Sequence, residues 1–212
     1  MRPLPTPEWR GVVSYGIAHG EQRAARAAVL EGRGEEAFWL LEHPAVVTTG
    51  RRRVPVEQLP APGSGLTVVQ TERGGLATYH GPGQLVGYLI LDLASRSWKV
   101  RCHIHGMEQG IIDWLDTMGV GAERRTGMPG VWVGRDKVAA VGVHVRRGVT
   151  LHGFALNLRV DLGVFGDFVP CGVLDGGVTS LHRLRDGAPA PAQAWTRVAA
   201  AVGDALIRSQ CR

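Results

Sequence analysis

The sequence predicts an α/β (α+β) fold, in which helices flank a mixed, mostly antiparallel sheet within a single domain. The 212 residues are 44% hydrophobic, so the chain can bury one sizeable core and has the usual size of one domain. Short apolar runs bounded by turn residues are typical of buried strands, and three longer segments repeat apolar residues at helical spacing. We expect one domain over residues 1–212, of which residues 1–10 form a flexible segment.

Each predicted element follows from its local pattern. The run from Leu85 to Leu93 is almost continuously apolar, as in a buried strand, and a second such run begins at Lys137. We expect strands near residues 11–15, 36–42, 66–71, 85–93, 131–134, 137–146 and 150–159. We expect helices at His19 to Leu30, Arg101 to Met118 and Pro191 to Ser209, where apolar residues recur three and four positions apart.

Composition argues against several classes of protein. The sequence has no run of eighteen apolar residues and no charged, apolar leader, which predicts a cytoplasmic protein without membrane insertion or secretion. The three cysteines, Cys102, Cys171 and Cys211, are widely spaced, which indicates free thiols rather than a disulfide framework. Because no Cys or His spacing typical of a metal site occurs, we expect no metal.

The charge is basic and is carried almost entirely by arginine. A net charge of +5 and a pI of about 9.6 favour acidic partners, which the basic stretches at 50–53 and 123–125 would steer. Arginine is otherwise spread along the chain, and aromatic residues make up only 6%. We therefore expect no nucleic-acid partner.

The segment RGGLATYHGPGQ, residues 73–84, is the most informative stretch of the chain. It contains four glycines and one proline between two apolar runs, which is typical of a shaped loop where backbone passes close to a bound group. It matches neither G-x-x-x-x-G-K-[ST] nor a G-x-G-x-x-G loop that opens a helix. The segment therefore predicts the wall of a ligand site that is not a phosphate loop.

Two residues are candidates for covalent chemistry. Of the 24 basic residues only two are lysines: Lys99, in a polar connection, and Lys137, at the start of an apolar run. Cys171 lies between a proline and a glycine, a setting that leaves a thiol accessible. A thiol with a pKa of ~8.5 needs a base or a cation to act as a nucleophile. Histidine is the commoner partner, and lysine serves as well, because its ammonium stabilises the thiolate. Taken alone, a buried inert cysteine and a lysine that reaches solvent remain the alternatives.

Five segments, in register over most of the chain, resemble the lipoyl(octanoyl) transferase family. They are HPAVVTTGRR at 43–52, RGGLATYHGPGQLVGY at 73–88, GVWVGRDKVAAVGV at 130–143, HGFALNLRVDL at 152–162 and PCGVLDGGVTSL at 170–181. The resemblance implies the fold shared by the catalytic domains of biotin protein ligase and lipoate ligase. It also implies an acyltransferase whose catalytic residues are Cys171, which becomes an acyl-thioester, and Lys137, which tunes it.

The partners implied by the resemblance are a donor and an acceptor of octanoyl. The donor is octanoyl-acyl carrier protein, and the acceptors are lysines of lipoyl domains, in 2-oxoacid dehydrogenases and the glycine cleavage H protein. A thioester is already activated, so no cofactor is expected. We also expect a monomer, although no sequence motif determines the oligomeric state.

The same motif matching assigns a wall for the octanoyl chain, whose burial offers about 5–6 kcal/mol of gross binding free energy before ordering costs. The wall comprises Arg73, Gly74, Gly75, Leu76, Ala77, Thr78, Tyr79, His80, Ala140, Val141, Gly142, Gly153, Phe154 and Ala155.

Several roles stay open at the level of sequence. His80 contacts the thioester, orients Lys137 or hydrogen-bonds backbone, and His144 and His152 are core or rim residues. Backbone amides near Cys171 or Lys137 are the expected source of oxyanion stabilisation.

Two other functions remain alternatives. An ATP-dependent lipoate or biotin ligase shares the fold but needs no nucleophilic cysteine, so the Pro-Cys-Gly motif favours transfer over ligation. A non-catalytic module that binds acyl carrier protein or a lipoyl domain is indicated if Cys171 is buried far from Lys137.

Overall fold

The computed structural model describes residues 2–61, 63–166 and 176–209. In chain order its strands are β1 (Pro7–Val12), β2 (Ala37–Glu42), β3 (Val46–Thr49), β4 (Val68–Gln70), β5 (Thr78–His80), β6 (Gln84–Ile90), β7 (Glu123–Arg125), β8 (Met128–Val133), β9 (Asp136–Arg146) and β10 (Val149–Asn157). Its α-helices are α1 (Tyr15–Leu30), α2 (Val100–Thr117), α3 (Leu181–Leu184) and α4 (Pro191–Arg208), and short 3-10 turns lie at Val56–Gln58 and Gly163–Gly166.

The strands form two sheets. The larger has seven strands in the order β1-β2-β6-β10-β9-β8-β7, and the smaller has the order β4-β3-β5. In the larger sheet β1 and β2 are parallel and every other neighbouring pair is antiparallel. In the smaller sheet β3 is parallel to β4 and antiparallel to β5. The predicted fold class, a mixed and mostly antiparallel sheet with flanking helices, is confirmed.

Helices cover both faces of the larger sheet, as the side-chain contacts of strand β6 show. Leu85 and Leu89 belong to the core cluster that includes Met107 of α2 and Val198 of α4, whereas Val86 packs in the cluster with Ala18 of α1. Successive side chains of a strand point to opposite faces. A strand covered on both faces is apolar throughout, and β6 and β10 are buried along their whole length.

Helices α2 and α4 lie in close contact through two glycines of α2. A Cβ at Gly110 would lie 2.4 Å from Val202 Cα, and one at Gly106 would lie 2.7 Å from Leu206 Cδ2. Both distances are shorter than a carbon–carbon contact permits, so this crossing requires glycine. The pair of helices forms one outer layer of the fold.

The predicted helices are confirmed, with ends that differ by a few residues. The strand expected near 11–15 is wrong in position, because Tyr15 begins α1 and the strand lies at Pro7–Val12. Residues 7–10 of the segment expected to be flexible belong to this strand, where Pro7 pairs with Phe38 and Trp9 with Leu40. Elements β3, β5, β7 and α3 were not predicted, because three or four residues show no periodicity.

Cys102, on α2, is disulfide-bonded, so the expectation that all three cysteines are free thiols is wrong for this residue. Cys171 and Cys211 lie outside the described residues. Among the helices of the described ranges, none is long and apolar enough to cross a membrane.

Candidate active site

A cavity of about 580 Å³ lies between the 73–78 segment and strands β6, β9 and β10. Its volume is typical of a site for a small molecule. Most of the predicted wall residues line it: Arg73, Gly74, Gly75, Leu76, Thr78, His80, Ala140, Val141, Gly142, Gly153, Phe154 and Ala155. Residues from three distant stretches of sequence therefore share one cavity.

Ala77 and Tyr79 do not belong to this lining. Both pack in a separate cluster with Val47 and Val160, and the Tyr79 ring lies edge-on to Phe165 with centroids 5.6 Å apart. The alternation of side chains along β5 explains the difference, because Thr78 and His80 line the cavity while Tyr79 points to the opposite face.

Glycines let the 73–78 segment rest directly on the sheet. The Gly74 amide donates to Val143 O over 3.1 Å, and a Cβ at Gly142 would lie 3.3 Å from Gly74 O. Gly75 has φ +89°, and a Cβ at Gly50 would lie 2.4 Å from Gly75 O. Close backbone approach and a left-handed conformation both favour glycine here, as the sequence predicts for this loop.

Arg73 anchors the segment from inside. Its Nη2 donates to Thr48 O over 2.6 Å and to Thr48 Oγ1 over 2.9 Å, and its Nη1 donates to Gly74 O over 3.0 Å. The side chain is buried. These bonds join the cavity wall to strand β3 and place a fixed positive charge in the wall.

Lys137 lies in the cavity wall near the start of β9. It is 7% exposed, its Nζ donates to Pro129 O over 3.1 Å, and the same atom lies 4.7 Å from the centre of the Trp132 ring. An indole face attracts an ammonium ion. The sequence-based alternative of a lysine that reaches solvent is therefore wrong.

A buried carboxylate lies near this lysine. Glu108 Oε1 accepts a hydrogen bond of 2.8 Å from the Gly130 amide. Burial raises the pKa of Glu108, while the Gly130 amide and the charges of His105, Arg124 and Lys137 oppose the rise. The carboxylate of Glu108 adds negative electrostatic potential beside Lys137, next to strand β8.

Cys171 lies outside the described residues, so its distance from Lys137 is not given by the structure. The described chain resumes at 176, and the backbone beside Lys137 belongs to this later stretch. Lys137 N donates to Gly177 O, and Thr179 N donates to Lys137 O, both over 3.0 Å. Gly177 follows Cys171 by six positions in sequence.

His80 is held by side chains on both ring nitrogens. Nδ1 lies 2.8 Å from Gln84 Oε1, and Nε2 lies 3.3 Å from Thr48 Oγ1. Because the Gln84 amide nitrogen donates to Tyr79 O and Asn157 Oδ1, its oxygen accepts from Nδ1. Burial lowers the pKa of His80 well below its ordinary value. His80 is thus a neutral, oriented wall residue.

Buried rings in and next to the cavity wall form a cluster that sequence reasoning missed. His43 Nδ1 donates to Val13 O over 2.6 Å, so its Nε2 accepts from the Tyr88 hydroxyl over 2.7 Å. Tyr15 stacks on His80 with centroids 5.9 Å apart. Burial lowers the pKa of His43 to about 4 and raises the pKa of Tyr15 to about 12. The side chains of Tyr15, His43 and Tyr88 are all neutral at pH 7, so this cluster is polar but uncharged.

The two remaining histidines of interest occupy different places. His152 lines the cavity, whereas His144 Nδ1 is 2.9 Å from Nη1 of Arg26 and is half-buried. Burial is the first cause that lowers the pKa of each. Their interpretation as core or rim residues fits these positions.

Ten further residues line the cavity without having been proposed for it: Tyr15, Arg52, Val86, Tyr88, Ile104, Gly127, Met128, Pro129, Val143 and His152. Pro129 indicates the start of a strand, because proline in sheets is confined to edges, strand starts and bulges, but this local feature does not indicate a ligand site. Tyr15 and Ile104 come from helices that have no local feature of a ligand site.

The amino-acid sequence matches the family described as "Lipoyl protein ligase A/B catalytic domain" over residues 19–203. It is 43% identical over 192 residues to an octanoyltransferase of Sphingopyxis alaskensis, covering 87% of each chain. It is 45% identical over 187 residues to an octanoyltransferase of Rhodospirillum rubrum, covering 84% of this chain and 85% of the relative.

Solved structures show the same fold at low sequence identity. Lipoate-protein ligase A bound with ATP superposes with a TM-score of 0.63 at 18% identity, over 98% of this chain and 83% of the ligase. Biotin protein ligase from Aquifex aeolicus superposes with a TM-score of 0.53 at 11% identity, over 95% of this chain and 69% of the ligase. With a cavity in this fold, and with two octanoyltransferases as relatives over most of its length, the chain belongs to the lipoyl protein ligase A/B catalytic domain family, as an enzyme of its octanoyltransferase branch.

Proposed function

We propose that this enzyme transfers octanoyl from octanoyl-acyl carrier protein to a lipoyl-domain lysine through a thioester on Cys171, with Lys137 as the group that tunes the thiol. The observation that carries the proposal is the position of Lys137, a buried lysine in the wall of a small-molecule cavity. The names of the relatives support the octanoyl chemistry.

The proposed reaction consists of two successive octanoyl transfers at one site. Cys171 loses its proton and attacks the donor thioester carbonyl as a thiolate; a new C–S bond forms, the old C–S bond breaks, and the departing phosphopantetheine sulfur takes up a proton in place of the one that Cys171 lost. The acceptor amine then attacks the enzyme thioester, a C–N bond forms, the enzyme C–S bond breaks, and the proton lost by the amine returns to Cys171. An ammonium at Lys137 favours the thiolate, and each unit of thiol pKa depression is worth about 1.4 kcal/mol.

The contacts of Lys137 suit this role. Its Nζ has one carbonyl partner, Pro129 O, and one ring face, Trp132, so an ammonium with three donors is held without a direct carboxylate contact in the described residues. Its backbone pairs with Gly177 and Thr179, which follow Cys171 in sequence. This pairing supports the proposed dyad.

The cavity suits an acyl chain. Phe154, Ala155, Val141 and Leu76 supply apolar surface, and glycines such as Gly142 keep room between the walls. Burial of each methylene contributes about 0.8 kcal/mol. We propose the residues that share this cavity as the octanoyl-binding wall, with Ala77 and Tyr79 supporting it from the opposite face.

The charge distribution supports an acidic donor or acceptor. Arg51, Arg52 and Arg53 are exposed, and Arg52 lies at the cavity. In the second basic stretch, by contrast, Arg124 pairs with Glu108 and Arg125 lies over Trp132. We propose the 51–53 stretch as the basic part of the docking surface.

The test is intact-mass spectrometry of the purified protein mixed with octanoyl-acyl carrier protein. The wild type gains one hydroxylamine-sensitive octanoyl group and passes it to an added lipoyl domain. Cys171→Ala gains none. Lys137→Ala labels at least about tenfold more slowly, because the thiol loses its cation, whereas Lys99→Ala, which removes the exposed second lysine, labels at the wild-type rate.

Each unexpected result of this assay contradicts a different part of the proposed function. An adduct that persists in Cys171→Ala contradicts the nucleophile, and equal rates in the two lysine variants contradict the role of Lys137. If octanoyl reaches the lipoyl domain only when ATP and free octanoate are supplied, the enzyme is a ligase. If neither condition gives transfer, the protein acts by binding alone.

A further inference from the structure

Three side chains that are remote in sequence converge beside the cavity. His19 comes from α1, Glu72 precedes the 73–78 segment, and His152 comes from β10. One ring nitrogen of each histidine and a carboxylate oxygen of Glu72 all lie within 4.8 Å of one another. The sequence shows no metal-binding spacing here, because the three residues meet only in the folded chain.

The distances between these atoms leave a place for a ligand. His19 Nε2 lies 2.8 Å from Glu72 Oε2, and His152 Nε2 lies 3.8 Å from the same oxygen. The second separation is too long for a hydrogen bond. His152 Nε2 has no hydrogen-bond partner among the described residues, although the side chain is 3% exposed. A buried polar atom without a partner is costly, and this one faces the carboxylate.

We infer that His19, Glu72 and His152 form a binding site for a divalent transition-metal ion of the Zn²⁺ class. Two imidazoles and one carboxylate are a ligand set that zinc accepts at 2.0–2.2 Å, with water in the remaining position. Ligands of a tetrahedral ion lie about 3.4 Å apart, a value between the two separations above. Small side-chain rotations therefore bring the three atoms to one ion. The bound metal ion takes the place of the proton on His19 Nε2, which forms the hydrogen bond to Glu72 in the metal-free protein.

The surroundings orient these ligands. The His19 ring stacks on the His152 ring, with centroids 5.5 Å apart, and packs against Tyr15. The other carboxylate oxygen of Glu72, Oε1, lies 3.8 Å from Arg26 Nη2, so Oε2 is the oxygen that faces both imidazoles. The positive charges of Arg26 and of Arg73, which acts on His152, weaken the attraction for a metal, while the carboxylate charge offsets them.

Solvent reaches the site on one side. The side chains of His19 and Glu72 are 15% and 24% exposed, so water has access to the open position of the ion. His152 lines the octanoyl cavity, which places the ion at the edge of that cavity. The inference rests on these three side chains and is independent of the proposed acyl transfer.

The experiment is titration of the purified, chelator-treated full chain with Co²⁺ and, separately, with Zn²⁺. Co²⁺ gives visible ligand-field absorption when bound, and calorimetry gives the Zn²⁺ affinity and stoichiometry. We expect one ion per chain. His19→Phe keeps the ring contacts but removes the nitrogen ligand, and Glu72→Gln removes the charge. Each variant weakens binding at least about tenfold, since it lacks one of three ligands.

His182→Phe is the matched control, because it removes an exposed histidine of α3 far from the cluster in sequence, and it binds as the wild type does. Circular dichroism shows whether each variant is folded. The inference is overturned if the wild type shows no saturable binding, or if His19→Phe and Glu72→Gln bind the metal with unchanged affinity. Neither result bears on octanoyl transfer, which the mass-spectrometric assay reports separately.

Discussion

Gly87 leaves room for the ring of Phe154, which lines the cavity. It lies opposite Phe154 across β6 and β10, and a Cβ there would lie 2.3 Å from the Phe154 ring. We expect Gly87→Ala to destabilise the fold by about 1–3 kcal/mol, because the ring must leave its position in a packed core. Since Phe154 lines the cavity, octanoyl transfer also slows. Denaturant unfolding and the labelling assay measure the two effects.

Gly20→Ala is the control for Gly87→Ala. Gly20 is exposed on α1, and a Cβ there would meet nothing within 4 Å. We expect this variant to gain about 0.5–1 kcal/mol, since alanine favours a helix over glycine. A Gly87→Ala protein as stable as the wild type would show that the Phe154 ring has room to move.

At the scale of elements, a chain of buried hydrogen bonds connects β5, β6 and β10 to the stretch that follows Cys171. Asn157 Oδ1 accepts from Gln84 Nε2 over 2.9 Å, and Asn157 Nδ2 donates to Thr179 O over 3.0 Å. Thr179 N in turn donates to Lys137 O. The side chain of Asn157 thus fixes residues 176–179 against the strand that carries Lys137.

We expect Asn157→Ala to cost about 1–3 kcal/mol of unfolding free energy, because the Gln84 amide nitrogen loses one of its two acceptors and the Thr179 carbonyl loses the donor Asn157 Nδ2. Cysteine labelling slows in the same variant if residues 176–179 position the reacting groups. Chemical denaturation and the rate of octanoyl adduct formation are the measurements.

Thr179→Val serves as the companion variant, because the bonds to Asn157 and Lys137 use only the backbone of Thr179. It keeps the wild-type labelling rate. Equal labelling by Asn157→Ala and the wild type would contradict the positioning role.

For the whole molecule, we expect the free energy of unfolding to fall in acid, and His43 is one source of this effect. Burial lowers its pKa from an ordinary 6.5 to about 4, so below pH 6.5 the unfolded chain binds a proton that the native protein does not. Stability therefore falls as the pH decreases from 6.5 to 4, by about 3 kcal/mol for this group. Urea unfolding at several pH values gives the slope.

His43→Phe lowers stability at pH 7, because the bonds to Val13 and Tyr88 are lost. Its stability nevertheless depends less steeply on pH, since one titrating group is gone. His182→Phe, at an exposed position, retains the slope. An unchanged slope in His43→Phe would show that His43 is not the source of the acid sensitivity.

The sequence by itself determined the elements that have a strong period or a strong local requirement. Helices α1, α2 and α4 repeat apolar residues at helical spacing, β6 and β10 are apolar because both faces are covered, and the glycines of 73–83 mark a loop that presses on the sheet. These are local consequences of side-chain direction and backbone freedom. The resemblance to the transferase family, carried by contiguous motifs, assigned the wall residues, and most of them line one cavity.

Only the tertiary structure decided which residues meet. Three- and four-residue strands such as β3 and β5 exist because a partner strand forms hydrogen bonds with their backbone N–H and C=O groups. No local sequence pattern predicts this pairing. Tyr15, His43 and Tyr88 come together from three separate parts of the chain, as do His19, Glu72 and His152. Burial then sets the pKa of His43 and Tyr15. Since burial and proximity depend on packing across the whole chain, these properties belong to the fold rather than to any segment of the sequence.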